Sequence, residues 1–184
     1  RNGTRRSRLC CDGSKRAAPK LHAIASTWSS CVEMPIQRPF LAIAASEGCT
    51  ARGADAMDAH AHAAANGIKT CLTCDDAHRE WAREALGKEA PRGHVMEVSH
   101  SLQGHPLSGK QWMRMIDDIL INKLGFTTTT HNRCICKKIT KSGETIFLLR
   151  QVDDILIATN NQAIAEVVPA IHIDKIKHKK ILFK

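Results

Sequence analysis

QVDDILIAT, residues 151 to 159, places two adjacent aspartates, Asp153 and Asp154, between two apolar segments. Strand-forming residues on both sides of a short polar pair predict a β-hairpin with acidic residues at its tip. Two carboxylates this close disfavour each other's ionised form unless water or a cation stabilises the charge. The pair is therefore either a solvated turn or a site for a hard cation such as Mg²⁺, which binds carboxylate and phosphate oxygens.

The rest of the chain predicts an α+β protein. Residues 107 to 124 form the clearest helix, because one apolar stripe recurs at helical spacing and Gly125 follows its last turn. Further helices are predicted over residues 32 to 47, 75 to 87 and 161 to 170. Strands are predicted over residues 94 to 99, 133 to 139, 145 to 152 and 155 to 159, and a strand with a turn within residues 1 to 20.

The composition favours a folded protein with a polyanionic partner. Hydrophobic residues make up 43% of the 184 residues and charged residues 24%, as in globular proteins. Lys and Arg number 27 against 18 Asp and Glu, and the net charge of +9 favours binding to nucleic acid. The eight cysteines form no compact disulfide pattern and no secretory signal is visible, so a reduced, intracellular protein is expected rather than a secreted one. No apolar run approaches the roughly 20 residues that span a bilayer, so no membrane partner is expected.

Four stretches follow one another along the chain, at residues 5 to 13, 26 to 48, 101 to 112 and 151 to 159. Taken in this order, they resemble the reverse transcriptase of copia-type retrotransposons. RRSRLCCDG, residues 5 to 13, is similar to a basic strand of the fingers. STWSSCVEMPIQRPFLAIAASEG, residues 26 to 48, is similar to the Pro-containing segment and helix that follow it. SLQGHPLSGKQW, residues 101 to 112, resembles the family's Ser-Leu-x-Gly signature with its Trp, and QVDDILIAT resembles its Tyr-Val-Asp-Asp hairpin.

The resemblance implies the fingers and palm of a right-hand polymerase over residues 1 to 170, with an antiparallel palm sheet backed by helices. Residues 171 to 184 form a basic tail without an assignment. The implied activity is RNA-directed DNA synthesis by two-metal nucleotidyl transfer.

The resemblance also implies a catalytic set of three carboxylates. In the family an Asp at the end of one strand faces the Asp-Asp hairpin across the sheet. Within GADAMDAHAH, Asp55 occupies that position and Asp58 is its rival. The expected catalytic residues, and ligands of two Mg²⁺ ions for which Mn²⁺ can substitute, are Asp55, Asp153 and Asp154.

Five residues receive nucleotide-binding roles from the same resemblance. Gln103 and Gly104 match a loop that lies against the nascent base pair, where a glycine permits close backbone approach and an amide can hydrogen-bond the nucleotide. His60 stands where the family has an aromatic residue that excludes a ribose 2′-hydroxyl. Arg6 and Arg8 are expected to hold triphosphate or template phosphates. An ordinary loop for Gln103 and a solvated charged face for the two arginines remain open.

The implied partners are an RNA template, a DNA primer and dNTPs, in a cytoplasmic particle or the nucleus. RNase H and integrase domains of the same polyprotein are expected as further partners, and no segment of these 184 residues matches them. One alternative is a catalytically inactive relic that binds nucleic acid through its basic charge. Another is a zinc module, for which only Cys71 and Cys74 have the usual spacing among the available ligand types, namely Cys71, Cys74, Cys134, Cys136, Asp58, His60 and His62.

Overall fold

The computed structural model describes residues 10–20, 27–56, 58–65, 69–88, 93 and 95–161. The helices within these ranges are α1 (Met34–Ser46), α2 (Ala59–His62), α3 (Asp76–Leu86) and α4 (Ser108–Asp117), and a π-helix (Asp118–Lys123) continues α4. The strands are β1 (Thr50–Asp55), β2 (Cys71–Thr73), β3 (Val95–Glu97), β4 (Thr127–Thr128), β5 (Ile135–Ile139), β6 (Thr145–Gln151) and β7 (Asp154–Thr159). The protein is α+β, as its sequence predicts.

Five of these strands form one antiparallel sheet in the order β1-β7-β6-β5-β4. Strands β6 and β7 form the predicted hairpin, and β1 pairs with β7 although it lies far earlier in the chain. Successive residues of a strand point to opposite faces of the sheet. Both faces of β6 and β7 carry apolar side chains, so each face needs a helical layer to cover it.

Helices cover the two faces of this sheet. The packing of α4 and the π-helix on one face uses Trp112, Ile116 and Leu120. On the other face, α1 packs through Phe40 and Ala44. Burial of each large apolar side chain contributes about 1.5–3 kcal/mol relative to exposure. The β6–β7 hairpin is therefore held between two apolar clusters.

The helix predicted over residues 107 to 124 is confirmed, but its second half is π-helical. The amide of Leu124 donates to the carbonyl of Ile119 over 2.9 Å, a π-type bond between residues five apart. Gly125, with φ +72°, ends the helix at the predicted place. The apolar pattern could not predict the π-helix, because the stripe continues through both segments.

Helices α1 and α3 lie where helices were predicted over residues 32 to 47 and 75 to 87. In α3 the side chain of Asp75 accepts a hydrogen bond from the amide of His78 over 2.8 Å, and Gly87 caps the end with φ +61°. Both caps satisfy backbone groups that the helix leaves unpaired at its ends. Helix α1 confirms the prediction over residues 32 to 47 and accommodates Pro39 within it.

The strand predictions are confirmed in position for β3, β5, β6 and β7. A two-stranded antiparallel sheet joins β3 to β2, which the sequence did not predict. Helix α2 was also not predicted, because the alanine-rich segment around it has no apolar periodicity. Short elements in such segments depend on their tertiary neighbours rather than on their own pattern.

Of the strand predicted within residues 1 to 20, the described part of the chain contains one bridging residue. Cys10 forms a single β-bridge with Gln103, and a turn follows over residues 14 to 18. Arg6, Arg8 and residues 162 to 184 lie outside the described residues, and with them almost all of the predicted C-terminal helix. Within the described ranges no helix combines the length and apolar character that crossing a membrane requires.

Candidate active site

Asp55 and Asp154 lie directly opposite each other on the paired strands β1 and β7. Directly paired residues of antiparallel strands share a face of the sheet. Asp153 lies in the turn that precedes β7, and its carbonyl accepts a hydrogen bond from the amide of Ala56 over 2.9 Å. The three carboxylates are exposed at the same end of the sheet. The structure thus brings together residues that are far apart in the sequence.

Asp58, the rival of Asp55, lies beyond the end of β1. It precedes α2 in a left-handed backbone conformation with φ +54°. The pairing of β1 with β7 ends at Asp55 and Asp154, so Asp58 lies outside the paired strands. The strand geometry therefore favours Asp55 as the third carboxylate.

The turn of the hairpin has an unusual backbone. Val152 has φ +56°, whereas Asp153 is not among the residues with positive φ. This pattern is that of a type II′ turn, which usually carries glycine at its first central position. The carbonyl of Val152 accepts a hydrogen bond of 2.7 Å from the indole nitrogen of Trp112 in α4.

Gln151, the last residue of β6, anchors the chain that leads into α1. Its side-chain oxygen accepts a hydrogen bond from the amide of Val32 over 2.9 Å, and its amide nitrogen donates to the sulfur of Cys31. Gln151 is also the cross-strand partner of Asp154. The amide therefore ties the segment before α1 to the acidic end of the hairpin.

Arg150 ties the β6–β7 hairpin to α4. Its side chain is 3% exposed, and its guanidinium lies 3.0 Å from a carboxylate oxygen of Asp117 in α4. It also donates to the backbone carbonyl of Met113 over 3.4 Å. A buried charge requires such pairing, because desolvation without a partner costs several kcal/mol.

The loop with Gln103 and Gly104 packs against residues 10 to 13. The amide of Cys11 donates to the carbonyl of Gln103 over 2.8 Å. Gly104 has φ +83°, and a Cβ atom there would collide with the carbonyl oxygen of Cys11. A Cβ atom on Gly13 would collide in turn with the carbonyl of Gly104. The close approach predicted for Gly104 is thus made by the protein's own backbone, while the side chain of Gln103 is exposed.

His60 lies in α2, soon after the end of β1. Its Nδ1 atom is buried, and of the described buried side-chain nitrogen and oxygen atoms it is the one without a hydrogen-bond partner. A buried polar atom without a partner is costly, and a bound group is one way of satisfying it.

The carboxylate oxygens at the acidic end of the sheet are ligands that suit a hard cation, although they are few. Mg²⁺ usually takes one or two protein carboxylates and completes its shell with water and substrate phosphates. The facing pair Asp55 and Asp154, with Asp153 beside it, matches that chemistry. Across the described part of the chain, no three His, Cys, Asp or Glu side chains are grouped closely enough to hold a metal ion by themselves.

Two cysteines of the zinc alternative belong to different apolar clusters. Cys134 belongs to the apolar cluster under α1, and Cys136 belongs to the cluster under α4 on the opposite face. Burial raises the pKa of the Cys136 thiol to about 11, which disfavours the thiolate that a metal needs. Cys71 is exposed on β2, and Cys74 is buried.

Three residues that organise the site were not predicted, namely Trp112, Asp117 and Arg150. Trp112 appeared only as part of the apolar stripe and the Ser-Leu-x-Gly signature. Arg150 had a usable signal, because a charge inside the apolar run IFLLRQ is either exposed or paired in the interior. Its partner Asp117 could not be identified from the sequence, because helix–strand contacts do not follow from spacing.

The chain was compared with protein-family models, with curated proteins and with solved structures, and none of the three comparisons gives a match.

Proposed function

We propose that this chain is the fingers-and-palm part of an RNA-directed DNA polymerase of the copia retrotransposon type. The observation that carries the proposal is the register between β1 and β7, which sets Asp55 opposite Asp154 beside the Asp153 turn. A right-hand polymerase palm needs this juxtaposition of a strand-end Asp and an Asp-Asp hairpin. The four motifs in the sequence support the proposal independently of the strand register.

The three carboxylates have distinct tasks in this proposal. Asp55 and Asp153 would hold the divalent ions, and Asp154 would add negative charge that strengthens the site. Two Mg²⁺ or Mn²⁺ ions, when bound, supply activation of the primer 3′-hydroxyl and stabilisation of the leaving pyrophosphate. The protein's part is to orient the oxygen ligands of the three carboxylates.

The residues around the carboxylates are proposed to bind the nucleotide. His60 is proposed to lie beside the sugar of the nucleotide, at the position where the resemblance implies an aromatic residue that excludes a 2′-hydroxyl. The exposed amide of Gln103 is suited to the nascent base pair, on a loop that Gly104 docks against residues 10 to 13. Arg6 and Arg8 are proposed to bind template or triphosphate oxygens.

Primer extension on an RNA template tests the proposal. The purified chain with Mg²⁺ or Mn²⁺ is expected to add dNTPs to an annealed DNA primer. Asp55→Asn and Asp153→Asn are expected to lower the rate at least about a hundredfold, since the lost ligands stabilise developing charge by several kcal/mol. Asp58→Asn serves as the matched control and is expected to stay within about threefold of wild type.

The result also separates the polymerase from an inactive basic module. The net charge of +9 favours nucleic-acid binding in either case. Binding without extension in wild type would support the inactive module and contradict the polymerase. Extension that is lost in Asp58→Asn and kept in Asp55→Asn would move the catalytic role to Asp58. An intracellular particle or the nucleus, with RNase H and integrase domains as partners, belongs to the same proposal.

A further inference from the structure

We propose that Trp112 is a positioning residue that holds the turn of the acidic hairpin through its indole N–H. Trp112 is 2% exposed and belongs to the apolar cluster between α4 and the sheet. A buried indole N–H needs an acceptor, and here the acceptor is the carbonyl of Val152 at 2.7 Å. The contact joins α4 to the residue immediately before Asp153.

The backbone of Val152 explains why such a contact is needed. A β-branched residue at φ +56° is a steric outlier, and conformations of this kind are costly. The residue persists there only if its surroundings compensate for the cost. Relaxation of Val152 to a negative φ would rotate the peptide that follows it and redirect Asp153.

The other contacts of the turn extend the effect to the third carboxylate. The amide of Ala56, next to Asp55, donates to the carbonyl of Asp153. Rotation of the turn would therefore weaken the bond that joins the end of β1 to the hairpin. Trp112 touches none of the carboxylates in this account, and it acts on their spacing through Val152.

The expected effect of Trp112 on catalysis rests on the proposed function. Its effect on the turn can be measured separately. Trp112→Phe keeps an aromatic ring and removes the N–H. Val152→Gly removes the steric cost of positive φ, since glycine adopts that conformation freely. The two changes and their combination form a double-mutant cycle that measures how far the effect of Trp112 depends on the strained backbone of Val152.

The structural arm measures denaturant unfolding and hydrogen exchange of the Ala56 amide. Trp112→Phe is expected to raise the unfolding equilibrium constant about fivefold, the factor that one ordinary hydrogen bond provides, and to speed exchange at Ala56. In the Val152→Gly background, which keeps the carbonyl of residue 152 but removes its strain, Trp112→Phe is expected to speed exchange at Ala56 by less than about twofold. Equal acceleration of Ala56 exchange in both backgrounds would overturn the inference, because it would show that Trp112 does not act through the strained backbone of Val152.

The catalytic arm measures primer extension in the same four proteins. Trp112→Phe is expected to lower kcat about fivefold with little change in KM for primer–template, and the loss is expected to shrink below about twofold beside Val152→Gly. Trp81→Phe, at an exposed tryptophan of α3, is the matched control and should leave both constants unchanged. If wild type shows no extension, the proposed function fails while the structural arm still decides the role of Trp112.

A shape-preserving variant covers the case in which Trp112→Phe does not fold. Benzothienylalanine at position 112 replaces the N–H with sulfur and retains the two fused rings. Faster exchange at Ala56 in this folded variant would support the inference. Exchange equal to that of wild type would contradict it, because the cavity would be filled and only the donor lost.

Discussion

Arg150 combines a full positive charge with almost complete burial inside an apolar strand. Its principal partner, Asp117, also lies 3.5 Å from Arg133, whose side chain is 61% exposed. The same carboxylate therefore has one buried and one exposed cationic partner. This arrangement allows the energetic contribution of a buried charge to be compared with that of a surface charge at a single acceptor.

We expect Arg150→Ala to lower the free energy of unfolding by about 3–5 kcal/mol, because it leaves Asp117 without its buried counter-charge. Arg133→Ala should cost less than about 1 kcal/mol, as for other exposed ion pairs. Urea denaturation of both variants beside wild type measures the two values. Similar losses in the two variants would show that Asp117 does not distinguish its partners by burial.

His105 provides a pH dependence whose direction follows from its contacts. Its Nδ1 accepts a hydrogen bond from the amide of Leu107 over 3.2 Å, and its Nε2 lies 3.2 Å from the hydroxyl of Thr70. Burial lowers the pKa of the imidazole from its ordinary value of 6.5. An Nδ1 that accepts a hydrogen bond carries no proton, so the folded state favours the neutral ring.

Because the unfolded chain then binds a proton more readily than the folded chain, stability should fall as the pH drops below about 6.5. The loss is complete once the pH is below the lowered pKa of the folded state. His105→Gln should remove this part of the pH dependence, whereas His131→Gln, at an exposed position, should leave it in place. Thermal melts between pH 5 and pH 8 (about the range over which histidine titrates) measure the difference. A stability that rises on acidification in wild type relative to His105→Gln would contradict the assignment.

At the scale of elements, sequence patterns predicted those parts of the fold whose signals are local. The capped helix α3 and the hairpin of β6 and β7 were predicted because their caps, apolar stripes and turn residues are near one another in the sequence. The pairing of β1 with β7 could not be predicted from periodicity, since no local feature specifies a partner strand far away. It was expected only from the resemblance to copia-type reverse transcriptases.

The contact between the loop at Gly104 and residues 10 to 13 gives a prediction at this scale. Gly104→Ala should lower the free energy of unfolding by about 1–3 kcal/mol through collision with Cys11. The left-handed backbone should add about 1–2 kcal/mol. Gly48→Ala is the matched control, because Gly48 also has positive φ but has nothing within 4 Å of the position of a Cβ atom.

Chemical denaturation of the two glycine variants separates the collision from the backbone cost. A loss in Gly104→Ala that exceeds the loss in Gly48→Ala is expected. Equal losses would show that residues 10 to 13 do not pack tightly on the loop in solution. That outcome would also remove the structural support for the position of Gln103 in the proposed nucleotide site.

For the whole molecule, the candidate site was predictable in its chemistry but only partly in its geometry. The acidic hairpin was evident from QVDDILIAT alone. The opposition of Asp55 and Asp154 needed the sheet register, and the supports from Trp112 and Arg150 needed the packing of α4. The contacts that position a site come from distant parts of the chain, whereas its reactive groups are visible locally.

The net charge of +9 leads to a prediction that concerns the whole chain. Binding to a primer–template should weaken linearly on a plot of log affinity against log salt, because each neutralised phosphate releases condensed counterions. With a slope of about −0.9 per phosphate, two contacts already give a loss of roughly tenfold between about 50 and 200 mM salt. Asp153→Asn removes a negative charge and should bind at least as tightly as wild type while failing to extend the primer. Fluorescence anisotropy over this salt range measures the slope, and an affinity that does not change with salt would exclude phosphate contacts as the basis of binding.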